Sequence, residues 1–98
     1  MKYAILSMDI ENWFHLDYFR NKECDQSYSM LDGLDSYLEI IDSHKIPSSF
    51  FVLGELAHSL KEKLREISEH KHDLGSHGWA HQRPLNMSRE SFNQEVLK

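Results

Sequence analysis

One cysteine, two prolines and four glycines are all that 98 residues contain of those types. With Cys24 alone no internal disulfide can form, so a cross-linked scaffold built for an oxidising compartment is excluded. So few prolines and glycines leave no low-complexity segment, and no internal repeat is visible. Long apolar runs are absent too. The N-terminal run Tyr3-Ala4-Ile5-Leu6 meets Asp9 almost at once, too short for a signal peptide or a membrane span. The sequence therefore predicts no membrane span and a cytoplasmic location. A basic stripe is also missing. The formal charge is -5, and the densest basic stretch, Lys61 to Arg65, is interleaved with Glu62 and Glu66 as on a solvated helix face. No nucleic-acid partner is expected.

Hydrophobic residues at 40% and charged residues at 28% are the proportions of a globular domain rather than a disordered chain. The length suits one small domain, residues 1–98. Tyr3 to Met8 is a nearly continuous apolar run, which suits a strand buried on both faces. An irregular stretch follows to Tyr28, with Trp13, Phe14, Tyr18 and Phe19, and reads as a long ordered loop or a loop with a short helix. Ser29 with Asp32 has a capping-box pattern. Leu31, Leu34, Leu38 and Ile41 then mark one face of a helix that ends before Pro47. Ser49 to Leu53 reads as a second buried strand, closed by Gly54. A second helix is predicted from Glu55, with Leu56, Leu60, Leu64 and Ile67 as its stripe, ending at His70-Lys71-His72. Asp73 to Ser76 is a short third strand, and Ser88 caps a last helix with Phe92 and Val96 on its buried face.

This alternation predicts an α/β fold, βαβαβα with a parallel sheet and right-handed crossovers that put the helices on one side. The other face is left open, whereas all-parallel sheets are normally covered on both faces or closed into a barrel. The chain therefore reads as the opening part of a larger barrel. It either continues beyond Lys98 or covers its sheet with a second copy in a homo-oligomer.

Chemistry-bearing residues collect at two places. His77 and His81 stand four positions apart directly after the third strand, and histidine is the commonest metal ligand. Asp9 and Glu11 follow the first strand. In barrels of parallel strands, active sites gather at the C-terminal strand ends, so these carboxylates and imidazoles are expected on one rim. Together they point to a metal-dependent hydrolase site. His15 reads as an ordinary loop histidine, and His44, His58, His70 and His72 as histidines on or near helices away from that rim. Gly75 and Gly78 read as backbone freedom around a tight turn.

Ser7-Met8-Asp9-Ile10-Glu11-Asn12-Trp13-Phe14-His15 resembles the first motif of the polysaccharide deacetylases (the NodB-homology domain, carbohydrate esterase family 4). The likeness is to a branch in which T-F-D-D-G is replaced by a form like S-F-D-V-E-D-W-F. Ser76-His77-Gly78-Trp79-Ala80-His81 resembles the second motif, and Ser49-Phe50-Phe51-Val52-Leu53-Gly54 the strand between them. The resemblance implies a distorted, seven-stranded, TIM-like (β/α) barrel, present here as a truncated N-terminal portion. It implies removal of acetyl groups from a carbohydrate substrate, a polysaccharide or amino sugar. It also implies a divalent metal, zinc before others, held by His77, His81 and one acidic residue of the first motif, with Asp9 as general base.

Ile10 stands where the metal-binding aspartate belongs. Glu11, shifted by one residue, is the third ligand expected, with Asn12 as the alternative oxygen donor. Trp13 and Trp79 are candidate substrate-binding residues, packing beneath the long loop being the other reading. The family's late motifs have no counterpart: no histidine follows His81, and Gln82-Arg83-Pro84 does not spell R-x-P. Two alternatives stand beside the deacetylase, an allantoinase-like amidase on the same barrel and a catalytically inactive metal-binding or assembly fragment.

Overall fold

The apolar run Tyr3 to Leu6 does not form the first strand. In the computed structural model, which describes residues 2–15 and 29–98, strand β1 is Ser7–Ile10, and Ile5 is 93% exposed. The neighbouring strand explains the shift. Strand β2, Ser49–Val52, has four residues and begins opposite Ser7, so residues before Ser7 have no strand to pair with. Among the described residues, what engages this run is the Ser49 N–H and the Ser48 hydroxyl, each at 3.0 Å from the Leu6 carbonyl. Strand β3 is Asp73–Ser76, as predicted. The order is β1-β2-β3, all parallel, with Ile10 level with Val52 and Val52 with Ser76. Cys24, Tyr18 and Phe19, with most of the expected long loop, lie outside the described residues.

Alternation along the strands sorts the side chains. Met8 and Ile10 of β1 and Phe50 and Val52 of β2 join Leu34, Leu38, Ile41 and Ile67 in one core. Asp9 and Phe51 point to the other face, where Phe51 is 38% exposed and its ring lies across Gly75. The strands are thus buried on one face, not both as their apolar runs predicted. Double burial needs a second layer, and no described residues supply one. No helix among the described residues is long and apolar enough to cross a membrane.

Ser29 does cap a helix, its Oγ accepting from the Leu31 N–H at 3.1 Å. A 3-10 turn, Met30–Gly33, comes first, and helix α1 is Leu34–Ser43. The predicted second helix is two: α2, Gly54–Ala57, and α3, Lys61–Glu69. The leucine stripe survives the break, with Leu60, Leu64 and Ile67 all meeting the core. Lys63 ties α3 to α1 through Asp35, and its ammonium is held above its usual range by Asp35 and then Glu66. Helix α4, Arg89–Leu97, is capped by Ser88, whose Oγ accepts from the Ser91 N–H at 3.1 Å. The buried face expected for it is not there. Phe92 and Val96 are exposed, because no described element offers α4 an apolar surface to cover.

Two of the helix-end histidines close the end of the sheet where the strands begin. The buried His72 accepts the Ser48 N–H on Nδ1 at 3.1 Å, which leaves the proton on Nε2 for Asp42 Oδ1 at 2.6 Å. His70 Nδ1 meets the other oxygen of Asp42 at 2.7 Å. Asp42 of α1 thereby joins the end of α3 to the start of β2 and β3. The hydrogen bonds from His72 and then His70 hold the Asp42 carboxyl below the usual carboxylate range. A lowered folded value contributes stability above the unfolded value, about 3.9, and that contribution is lost as pH falls through the folded value.

Two outcomes follow. The urea midpoint of Asp42→Asn should lie below that of the parent at pH 7, and the gap should close as pH is lowered through about 4 and below. Separately, Ile67 is fully buried, so Ile67→Ala should cost about 2–5 kcal/mol in the same denaturation experiment at pH 7.

Candidate metal centre

The opposite end of the sheet, where the strands finish, carries Asp9, Glu11, His77 and His81. Because Ile10 is committed to the core, Asp9 before it and Glu11 after it turn to the other side. On the third strand the ladder runs one residue further than β3 itself: the His77 N–H donates to the Val52 carbonyl at 2.9 Å. His77 is therefore fixed by the sheet. His81 reaches the same place through a loop, not a helical turn. Gly78 and His81 both have left-handed backbone, with φ 79° and 59°. That region suits glycine and is uncommon for other residues.

The loop is fastened to the connection after β2. The Gly54 N–H donates to the Gly78 carbonyl at 2.9 Å and the Glu55 N–H to the Trp79 carbonyl at 3.1 Å. These are the first amides of α2, which have no partner within their own helix. The ring of Trp79 lies directly on Gly54, so close that a Cβ there would sit 2.5 Å from Cε3. Gly54 is thus required by close approach.

The side chains converge on Glu11. Its Oε2 is 3.4 Å from His77 Nε2 and 3.3 Å from His81 Nε2. The ligand atoms of Glu11, His77 and His81 all lie within 4.8 Å of one another. Asp9 stands at the edge, Oδ2 3.7 Å from His77 Nε2 and its side chain 49% exposed. Two of these atoms, Glu11 Oε2 and His77 Nε2, are buried without a hydrogen-bond partner. Buried polar atoms are ordinarily paired, and two such atoms converging on one point suit a shared cation. Nitrogen and oxygen donors about 2.0–2.2 Å from one tetrahedral ion lie about 3.3–3.5 Å apart. The two separations from Glu11 fall in that range, and the donor set fits a divalent metal such as zinc.

Asn12, the alternative oxygen donor, is elsewhere. It is buried, and its Oδ1 accepts from the Ser29 hydroxyl at 2.7 Å. His15 is bound into the same loop: Nδ1 accepts the Asn12 N–H at 2.8 Å, and Nε2 therefore donates to Glu55 Oε1 at 2.6 Å. This link from Glu55 to the residue after Glu11 was not read from the sequence. Its only local signal is the three-residue spacing of Asn12 and His15.

Trp79 lines a cleft of about 480 Å³ beside His77, together with Pro84, Met87 and Phe92. Much of its ring is engaged in packing, on Gly54 and under Lys98 Nζ, 5.3 Å from the ring centre. The side chain of Trp13 lies outside those described.

A parallel α/β sheet with a carboxylate and two imidazoles gathered at the strand ends is an arrangement that could hold a metal ion. Residues 25–98 match the polysaccharide deacetylase family. The chain belongs to that family. It is 24% identical over 66 residues to the peptidoglycan deacetylase of Helicobacter pylori, covering 67% of this chain and 22% of that protein. It is 23% identical over 68 residues to the peptidoglycan-N-acetylglucosamine deacetylase of Bacillus cereus, covering 69% and 25%. The chain thus spans about a quarter of the length of these relatives.

Among solved structures, its fold resembles a family 4 carbohydrate esterase from Bacillus anthracis, with TM-score 0.65 and 21% identity over 95% of this chain and 37% of that one. It also resembles a protein from Mycobacterium smegmatis assigned to the polysaccharide deacetylases, with TM-score 0.73 and 23% identity over 95% and 35%. The family match begins after Asp9 and Glu11. Their place in the cluster rests on geometry alone.

The contact between Gly54 and Trp79 can be tested directly. Gly54→Ala should push the ring aside, shifting the emission of Trp79 in a Trp13→Phe background. Overpacking of this kind should lower stability by about 1–3 kcal/mol in urea denaturation.

Proposed function

We propose that this chain is the metal-binding part of a hydrolase that removes acetyl groups from a polysaccharide or amino sugar by amide hydrolysis. The observation that carries the reading is the convergence of His77 and His81 on Glu11, within a chain of the polysaccharide deacetylase family. The names of the two relatives support an N-acetylated polymer of the peptidoglycan kind as substrate.

Glu11, His77 and His81 are the residues that would hold the metal. Bound there, a divalent ion, zinc before others, would lower the pKa of a water and polarise a carbonyl. Asp9 lies beside the cluster and is open to solvent, so its carboxylate can take the proton of the attacking water. Trp79 offers the sugar an aromatic wall next to His77. Breaking the C–N bond releases acetate and requires a proton on the departing nitrogen. Residues 82–98 contain no histidine to give it. We assign that donor to a part of the protein outside these 98 residues, in keeping with matched segments that make up about a quarter of each relative.

Titration with Co²⁺ or Zn²⁺ tests the centre. The chain should bind one ion. His77→Ala or Glu11→Gln should weaken binding by more than the roughly 10–100-fold that losing an outer partner of a ligand costs. An ion bound equally well by the chain and by His77→Ala would overturn the reading. In the longest available form of the protein, acetate release from an N-acetylglucosamine oligomer should be lost in Asp9→Asn while metal binding persists.

A further inference from the structure

The segment between His77 and His81 cannot satisfy its own backbone. With Gly78 and His81 both left-handed, residues 78–81 form neither helix nor strand, and their amides need partners elsewhere. The carbonyls of Gly78 and Trp79 are taken by the start of α2. On the amide side, the Gly78 N–H donates to Ser76 Oγ at 3.2 Å, and the next two amides are met from α4. Glu95 Oε1, on α4, accepts from the Trp79 N–H at 2.9 Å and from the Ala80 N–H at 3.3 Å. A charged acceptor makes a stronger bond to an amide than a neutral one. The contact also accounts for where α4 lies. That helix buries no residue of its own; this carboxylate, with Lys98 Nζ over the Trp79 ring, ties it to the loop.

We propose that Glu95 is a positioning residue of the metal centre: by holding the amides of Trp79 and Ala80, it keeps His81 turned toward His77 and Glu11. The inference rests on reading those three residues as metal ligands. Glu95 itself is not among the converging ligand atoms. Its effect is exerted through the loop backbone, as partners behind metal ligands orient them elsewhere.

Glu95→Ala and Glu95→Gln, made in the full chain, separate the possibilities. Glu95→Ala should weaken Co²⁺ binding by about 10–100-fold and speed hydrogen exchange at the Trp79 amide. Glu95→Gln keeps an oxygen acceptor and should retain most of the affinity, with an unfolding midpoint close to that of the parent. If Glu95→Ala binds Co²⁺ as tightly as the parent while His77→Ala does not, the positioning role is overturned and the metal centre stands. If the parent binds no Co²⁺, the metal centre fails. Exchange at Trp79 then decides on Glu95 alone: unchanged exchange in Glu95→Ala overturns the anchoring, and faster exchange supports it.

Discussion

Register is the constraint on which the rest of the molecule depends. Three strands of four residues each are paired without offset, so Ile10, Val52 and Ser76 end at one level. Glu11 and His77 are each the next residue along. They are brought to the same rim from opposite edges of the sheet, with β2 between them. Adjacent strands lie about 4.8 Å apart, so the outer two are separated by roughly twice that. Only side chains of some length can meet across such a gap, and a glutamate and a histidine do so at 3.4 Å. A slip of one residue in either ladder would turn one of them to the helix side and dismantle the cluster.

The two ends of this sheet use the same residue types to different effect. Where the strands begin, His72 has a donor on one nitrogen and an acceptor on the other, and Asp42 is bonded on both oxygens. That arrangement is complete without a ligand and links α1 to the strands. Where the strands end, Glu11 Oε2 and His77 Nε2 face one another at 3.4 Å, buried and without a hydrogen bond. Residue type does not distinguish a structural histidine from a ligand here. What distinguishes them is whether the polar atoms are already paired.

Much of this was legible in the sequence, and the misses have a common cause. Strand β3 was found at its true limits, and the caps at Ser29 and Ser88 were read correctly, because each is set by residues adjacent in sequence. The approach of His77 and His81 to Asp9 and Glu11 was legible for a similar reason, since strand ends in a parallel sheet share a rim. What escaped depends on docking. β1 begins at Ser7 because β2 begins at Ser49. The predicted second helix breaks after Ala57 while its first amides are held by the loop carbonyls of Gly78 and Trp79. A continuous leucine stripe carries no sign of that. The carboxylates of Glu55 and Glu95 likewise act on loops distant in sequence, so periodicity could mark them only as surface acids.

At Ile10 the resemblance to the deacetylases' first motif breaks, and the fold gives that residue a structural place. Position 10 is fully buried among Leu34, Leu38, Phe50 and Ile67. A carboxylate there would be placed in the core unpaired, at a cost of several kcal/mol or a shift to the neutral form. Once position 10 belongs to the core, strand alternation makes position 11 the next residue that can turn toward His77 and His81. It follows the strand rather than lying within it, one step further along the rim, and glutamate has one more methylene than aspartate with which to reach back. Ile10 and Glu11 therefore divide the two sides of the sheet between them. The first gives the helix layer a strand-end anchor, and the second turns its carboxylate toward His77 and His81.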